Sequence, residues 1–383
     1  MLTADITPLR IAIVNEWYEA GATRCAKDLY REFSRRHSVL YLPRHDHETW
    51  ATVKKALAEF RPDIVHLHSY YGNLPYSVLA RVSWRYPTCF TVHDPRPIGH
   101  YYLDCWECSR NRFCLPCPAR GGPLPKPAAL AYLFALRSWK RLMNRLTSRS
   151  LRVVSPSDWL RHRLAEREMA RFELHTIPYG IDLDHFRPRP EARKQLNLPP
   201  DVPLLLHVAY SPPGWVLNER KGLRPLATAF VEQVVPRFPN ALLLVVGDGL
   251  VPNHTNIRPA GFVSQADMPT YYSAVDAFVT YTRGDNLPYA VMEAMGCGCA
   301  VVGAQVGGVP ELIEDGVTGL LVPRDDTTAL GQALVRILED RERTGEFGRA
   351  GRRRAERLYG MEPFVGAYER LFRSMLGSRS PSP

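Results

Sequence analysis

Two carboxylates, Asp285 and Glu293, stand with seven residues between them in the stretch GDNLPYAVMEAMGCGCAVV at 284–302. Between them Pro288 suits the first turn of a helix, where its missing N–H costs nothing. Asp285 or Asn286 then falls at or just before the cap, and N–H groups from Leu287 to Ala290 lack helical partners. Such a helix start attracts a phosphate. Glu293, in the second turn, is placed to accept hydrogen bonds from a ribose diol. Gly296 or Gly298 ends the helix and lets it close on the apolar run CAVVG. The competing reading is an ordinary capped helix with solvated acids.

A second set is cationic. Arg220 and Lys221, in NERKGLRPLATAF at 218–230, stand just before another helix. A lysine point charge beside an arginine fork can neutralise a diphosphate leaving group, although a lone basic pair is usually just solvated. Gly307 and Gly308, in VGGVPELIEDGVTGLLVP at 306–323, precede a helix begun by Pro310 and permit a second close backbone approach.

A third set is sulfur. DCWECSRNRFCLPCP at 104–118 holds two CxxC pairs, Cys105 with Cys108 and Cys114 with Cys117, five residues apart. Four thiolates at this spacing suit tetrahedral zinc, and an iron–sulfur cluster or two local disulfides fit the same pattern. Structural zinc is favoured, pinning a loop with little core of its own. The opening MLTADITPLR has no export signal, which disfavours a disulfide framework. Cys297 and Cys299 read as packed small residues. The HDH at 45–47 reads as a loop.

These sets need a frame. Apolar runs at 10–17, 38–43, 63–69, 87–94, 153–157 and 173–178 alternate with helical patterns at 23–36, 50–60 and 73–84 and a long one at 127–148. After a proline-rich stretch at 178–202 the alternation restarts, with strands at 203–210, 241–249, 261–263, 277–282 and 319–323. Near-continuous apolar strands between helices predict parallel sheets covered on both faces. The fold class is therefore α/β, with two doubly wound Rossmann-like units that create a cleft at the carboxyl ends of their strands. The expected domains are 1–190 and 191–361, with a C-terminal helix at about 362–377 packing back on the first. The tail from 326 to 377 reads as consecutive helices.

The chain has 383 residues, 45% of them apolar, and a formal charge of +10. The longest apolar run, PAALAYLFAL at 127–136, is too short to span a bilayer. These features predict a cytoplasmic protein. Ten Lys and Arg against one acid fall between Arg120 and Arg163. No basic run interleaves with aromatic platforms, so no nucleic-acid partner is expected. In LRSWKRLMNRL at 136–146, Leu136, Trp139, Leu142, Met143 and Leu146 share one helical face. Arg137, Lys140, Arg141 and Arg145 take the other. One reading is a surface helix that buries its apolar face. The other is peripheral docking on anionic lipid at the inner face of the cell membrane.

Taken in order, Lys221-Gly222, VGDG, Asp285 to Glu293 with EAMGCG, and VGGVPELIEDGVTGLLVP resemble family 4 of the retaining glycosyltransferases, with the GT-B fold. The resemblance covers most of 203–323, and extends more loosely to TVHD (91–94) and IPYGIDLDHFRP (177–188). It is nearest to the subgroup with Asn-Leu-Pro after the first acid, whose members often carry a Cys-rich loop after a His-Asp motif, here His93-Asp94.

The resemblance implies transfer of a sugar from a nucleotide-diphosphate sugar to the hydroxyl of a sugar or lipid-linked acceptor, in assembly of a bacterial-type surface polysaccharide or glycoconjugate. Glu293 would hold the donor ribose. Asp285 and the backbone of Asn286, Leu287 and Pro288 would contact the donor sugar. Lys221, with Arg220, would bind the diphosphate. Phe262 and Val263 would meet the nucleobase, the Gly21 turn would approach the phosphates, and His93 would serve the acceptor side. No cofactor is implied for catalysis.

The sequence departs from the pattern in three ways: Asp285 where most members have Glu, Tyr210 and Ser211 in place of an Arg after the first strand, and Tyr179 in place of an Asn. Asp182 and Asp184 mimic a metal-binding DxD but read as structural. Rival readings are a sugar-nucleotide epimerase or phosphorylase on the same frame, and a zinc-containing nucleic-acid-binding protein. The latter leaves the whole C-terminal set unexplained.

Overall fold

A computed structural model describes residues 7–16, 21–44, 50–68, 76–95, 138–139, 141–166, 169–209, 218–247 and 251–377. The four-cysteine cluster and the HDH at 45–47 lie outside the described residues. The chain divides into two compact units, Met1–Pro178 with Phe364–Pro383, and Tyr179–Pro363.

Unit 1 is built on a six-stranded parallel sheet of order β2-β1-β3-β4-β5-β6. Its strands are β1 (Arg10–Glu16), β2 (Ser38–Arg44), β3 (Ile64–His68), β4 (Thr88–Thr91), β5 (Arg152–Ser155) and β6 (Glu173–Thr176). β3 and β4 are buried along their whole length, as strands covered on both faces must be. Val14, Leu67, Phe90 and Val153 meet helical Leu57, Val82 and Leu160 in one core. The strand order reverses between β1 and β3, the usual crevice of such sheets.

The helix Met361–Gly377 starts in unit 2, and from Phe364 on belongs to unit 1. Its Phe372 ring stands 5.7 Å from Phe33, and Glu369 lies 3.1 Å from buried His37.

Unit 2 has a second six-stranded parallel sheet, of order β12-β11-β10-β7-β8-β9. Its strands are β7 (Leu204–Val208), β8 (Leu242–Val246), β9 (Ile257–Gly261), β10 (Ala277–Thr280), β11 (Ala300–Ala304) and β12 (Gly319–Val322). Its order reverses between β7 and β10. The helices Thr327–Glu339 and Arg341–Leu358 fill the expected tail, with Asp326 and Asp340 capping them through their side chains.

Two sequence expectations shift. The units part after Pro178 rather than at 190, because 179–190 is bound into unit 2 and is no free hinge. The Ile181 N–H donates to the Tyr359 carbonyl at 2.8 Å, and Arg352 donates to the carbonyl oxygens of Leu183 and Phe186 at 3.2 and 2.7 Å. The strand expected at 261–263 lies earlier, at Ile257–Gly261, with a register irregularity on its partner β8. The Asp182 carboxylate accepts from the N–H groups of Asp184 and His185, both at 3.0 Å, so it closes a turn.

Candidate donor site

The residues singled out in unit 2 follow the carboxyl ends of β7, β9, β10 and β11, the end of a parallel sheet where ligands bind. Arg220 and Lys221 end a short helix, Asn218–Lys221, after β7. Gly222 then turns the chain at φ +74 into the helix Leu223–Ala229. Only a glycine fits there, since a Cβ would stand 1.9 Å from the Tyr281 carbonyl oxygen.

Asp285 follows β10, on the other side of the crevice. Lys221 Nζ donates to Asp285 Oδ2 at 2.8 Å, so the pair bridges the point where the strand order reverses. Arg220 donates to the Gly284 carbonyl at 3.2 Å, while its buried Nε finds no hydrogen-bond partner among the described residues. Burial pushes the Asp285 carboxyl up. The charges of Lys221 and Arg220, with hydrogen bonds from Lys221 and the Asn286 N–H, pull harder and hold it below its ordinary value. Gly307, at φ +56, lets the β11 loop reach the same place, and the Gly308 N–H lies 3.3 Å from the Asp285 carbonyl oxygen.

The helix after Asp285 begins one residue later than its sequence suggests. Pro288 is the N-cap, with ψ 121, and the helix runs Tyr289–Gly296. Proline's fixed φ suits this extended cap as well as a first turn, so the leading helical N–H groups start at Tyr289. The Asn286 N–H is already engaged, 3.1 Å from Asp285 Oδ1. The helix ends at Gly296, and Gly298 turns away at φ +72.

Glu293 is 6% exposed, and its Oε2 accepts from the Tyr272 hydroxyl at 2.9 Å. Tyr272, from the helix Met268–Ala274, is a site residue that sequence reasoning missed, since a lone tyrosine in a short helix carries no spacing signal. His207 on β7 was missed too. Burial pushes it down to about 4; its hydrogen bond to the Val279 carbonyl opposes this, and the Lys221 charge adds to it. A neutral imidazole therefore sits in the strand leading to Lys221. Tyr179, the departure noted above, stacks on Tyr289 with ring centroids 4.6 Å apart.

Phe262, 65% exposed, and Val263, half-buried, follow the edge strand β9. Leu287 and Pro288 are buried. In unit 1, His93 follows β4 and is buried, and Gly21 is the exposed first residue of the helix Gly21–Phe33. Cys297 and Cys299 are buried free thiols. The face expected at 136–146 is divided: Met143 is buried, while Trp139, Leu142 and Leu146 are exposed, as is Trp84 at 71%, and Leu136 lies outside the described residues. No described helix is long and apolar enough to cross a membrane.

Residues 16–185 match the family model described as Glycosyltransferase Family 4, and residues 213–340 match that of Glycosyl transferases group 1. The 2-deoxystreptamine N-acetyl-D-glucosaminyltransferase of Streptomyces fradiae is 27% identical over 74% of this chain and 64% of its own. The chain spans about half the length of the curated relatives it matches. Sucrose-phosphate synthase of Thermosynechococcus elongatus superposes with a TM-score of 0.72 at 19% identity, over 97% of this chain and 100% of that one. Anabaena HepE in complex with UDP superposes with a TM-score of 0.70 at 17% identity, over 96% and 100%. The chain has the GT-B fold of these proteins.

Proposed function

We propose that this chain, which carries one domain of each of those two glycosyltransferase models, is a retaining glycosyltransferase that takes its sugar from a nucleoside diphosphate. The observation that carries the reading is the Lys221–Asp285 pair across the crevice of unit 2, beside the unsatisfied guanidinium nitrogen of Arg220. A lysine ammonium has three N–H groups, of which Asp285 takes one. Phosphate oxygens would take others and would satisfy Arg220.

In this reading the bond between the sugar carbon and the diphosphate oxygen breaks as Lys221 and Arg220 stabilise the charge left on the diphosphate. The acceptor oxygen bonds to the same face of that carbon, and its proton leaves on a diphosphate oxygen. No metal is needed for this step. Asp285, held ionised by Lys221, orients the sugar together with the backbone from Asn286 to Pro288. Glu293, fixed by Tyr272, meets the ribose. Phe262 and Val263 meet the base, Gly21 approaches the phosphates, and His93 serves the acceptor.

The acceptor would be a sugar or lipid-linked sugar in surface glycan assembly. Exposed Trp84, Trp139, Leu142 and Leu146, with exposed Arg81, Arg85, Arg145 and Arg149 close to them in sequence, suit an anionic lipid surface. Cys105, Cys108, Cys114 and Cys117 would hold a structural zinc.

Thermal-shift measurements with UDP-, GDP- and ADP-sugars test the donor. One nucleotide sugar should raise Tm, by roughly the equivalent of 2.7 kcal/mol at a hundredfold excess over Kd. Transfer assays with excess chelator test the mechanism. Complete loss of transfer restored by magnesium would sink the metal-free step.

A further inference from the structure

Unit 1 gathers three metal-ligating side chains at the carboxyl end of its sheet. His68 ends β3, His93 follows β4 by two residues, and Cys25 stands on the helix Gly21–Phe33, which follows β1. One donor atom from each lies within 4.8 Å of the other two. Cys25 and His68 are fully buried, and His93, 7% exposed, is the one of the three that solvent reaches. None of them belongs to the four-cysteine cluster expected from the sequence.

The spacing is close to what a tetrahedral ion needs. Zinc held about 2.05 Å from nitrogen and about 2.3 Å from sulfur sets edges of about 3.3 Å between nitrogens and about 3.6 Å from nitrogen to sulfur. His68 Nδ1 stands 3.1 Å from His93 Nε2, so that edge has only to open slightly. The sulfur has to close by at most about 1.2 Å, a displacement of the size that rotation about the Cys25 Cα–Cβ bond gives.

The protons balance. The ion takes the place of the one N–H between the two rings, and each ring keeps its proton on the far nitrogen. For His68 that nitrogen is Nε2, 3.2 Å from His66 Nδ1, and His66 Nε2 stands 2.8 Å from Thr91 Oγ1. The Thr91 hydroxyl can accept from His66, so His68 is supported from behind in its ligating form. The Cys25 thiol gives its proton to solvent, since the thiolate is the form that ligates.

We propose that Cys25, His68 and His93 form a site for one thiophilic divalent cation of the zinc class, and that the ion withdraws His93 from the acceptor side. A thiolate with two imidazoles selects such an ion over magnesium, which prefers oxygen. Three protein ligands leave the fourth position to water, as in exchangeable rather than closed structural sites. The ion is thus an inhibitor of transfer. That consequence rests on the reading of His93 as an acceptor-side group, and the binding of the ion does not.

Cobalt(II), a coloured stand-in for zinc, tests the site on the full chain. Cys25→Ser and Cys25→Ala should each bind one equivalent less than the wild type and lose the near-ultraviolet absorption of one cobalt–thiolate bond. Any cobalt on the four-cysteine cluster is common to all three. In the wild type labelled with nitrogen-15 histidine, zinc should move the ring nitrogens of His68 and His93 and leave those of His207, in unit 2, in place. In transfer assays the Cys25 variants should need at least about tenfold more zinc for half-inhibition, each judged against its own metal-free rate. Unmoved His68 and His93 signals under excess zinc overturn the proposal. So do equal cobalt equivalents in the wild type and a folded Cys25 variant, or full transfer by the zinc-loaded chain. A chain that binds the ion as expected but transfers no sugar from any nucleotide donor, with or without chelator, keeps the site and sinks the transferase reading instead.

Discussion

No side chain fits at Gly307, because a Cβ there would stand 1.8 Å from the carbonyl oxygen of Asp285. The two loops after β10 and β11 meet at this point, and the backbone of one sets the position of the carboxylate on the other. Gly307→Ala must displace Asp285, and its φ of +56 adds strain. We expect about 2–4 kcal/mol of lost stability and a weakened nucleotide response. Gly261→Ala is the comparison, since its φ of +66 is similar but its surroundings are open. It should cost only about 1 kcal/mol. Denaturant unfolding of both variants checks the difference, and equal losses would mean that Gly307 is no packing constraint.

Lys221→Met removes a cation of about the same length. If the ammonium stabilises the departing diphosphate, kcat/KM should drop by about two to three orders of magnitude. Lys221→Arg should recover part of it. A near-normal turnover in Lys221→Met, measured with the donor found by thermal shift, would remove Lys221 from the chemistry.

The Asp285 carboxyl is depressed below its ordinary value of 3.8 by its cationic neighbours. A depressed acid adds stability that is complete above its unfolded-state value and disappears as pH falls through its lower folded-state value. The stability gap between wild type and Asp285→Asn should therefore be constant from pH 5 to 7. It should shrink as pH drops below about 4. Urea titrations across that range decide, and a gap that widens toward acid would reverse the sign of the interaction.

Tyr272→Phe removes a single oxygen, and with it a hydroxyl donor to the buried Glu293 carboxylate. Leaving Glu293 short of a partner should cost about 1–3 kcal/mol. Binding of the nucleotide should also weaken, because the acid loses its fixed orientation. Calorimetric titration with the free nucleoside diphosphate separates that loss from the stability change.

Trp84 donates its indole N–H to the Leu146 carbonyl at 2.5 Å, yet most of its surface remains open. Trp139→Ala with Leu142→Ala should reduce sedimentation with vesicles rich in anionic lipid, leaving nucleotide binding intact. Full cosedimentation of that double variant would place lipid contact elsewhere.

Strands were the most legible part of this chain. LLLHV and LLLVV lie in the middle of a parallel sheet, where both faces are covered and continuous apolar character is required. The carboxylate pair and Lys221 were legible because glycines and a proline bracket them. The boundary at 178 was hidden, since a proline-rich stretch looks like a hinge until Arg352 from a distant helix is seen holding its carbonyls. Tyr272 was hidden because its partner lies 21 residues on, across a helix and a strand. His66, His68 and Thr91 read simply as strand residues, for no local spacing tells that Tyr368 will join them.

The chain passes from unit 1 to unit 2 and back again, because its last helix returns to the sheet where it began. Recombination between relatives must respect that loop. A chimera joined at residue 178 alone would pair one parent's amino-terminal sheet with the other's terminal helix, and would mismatch Phe372 with Phe33 and Tyr368 with Thr91. Specificity can be exchanged cleanly only as an insert, 179 to 363, grafted into a host that keeps both of its own ends.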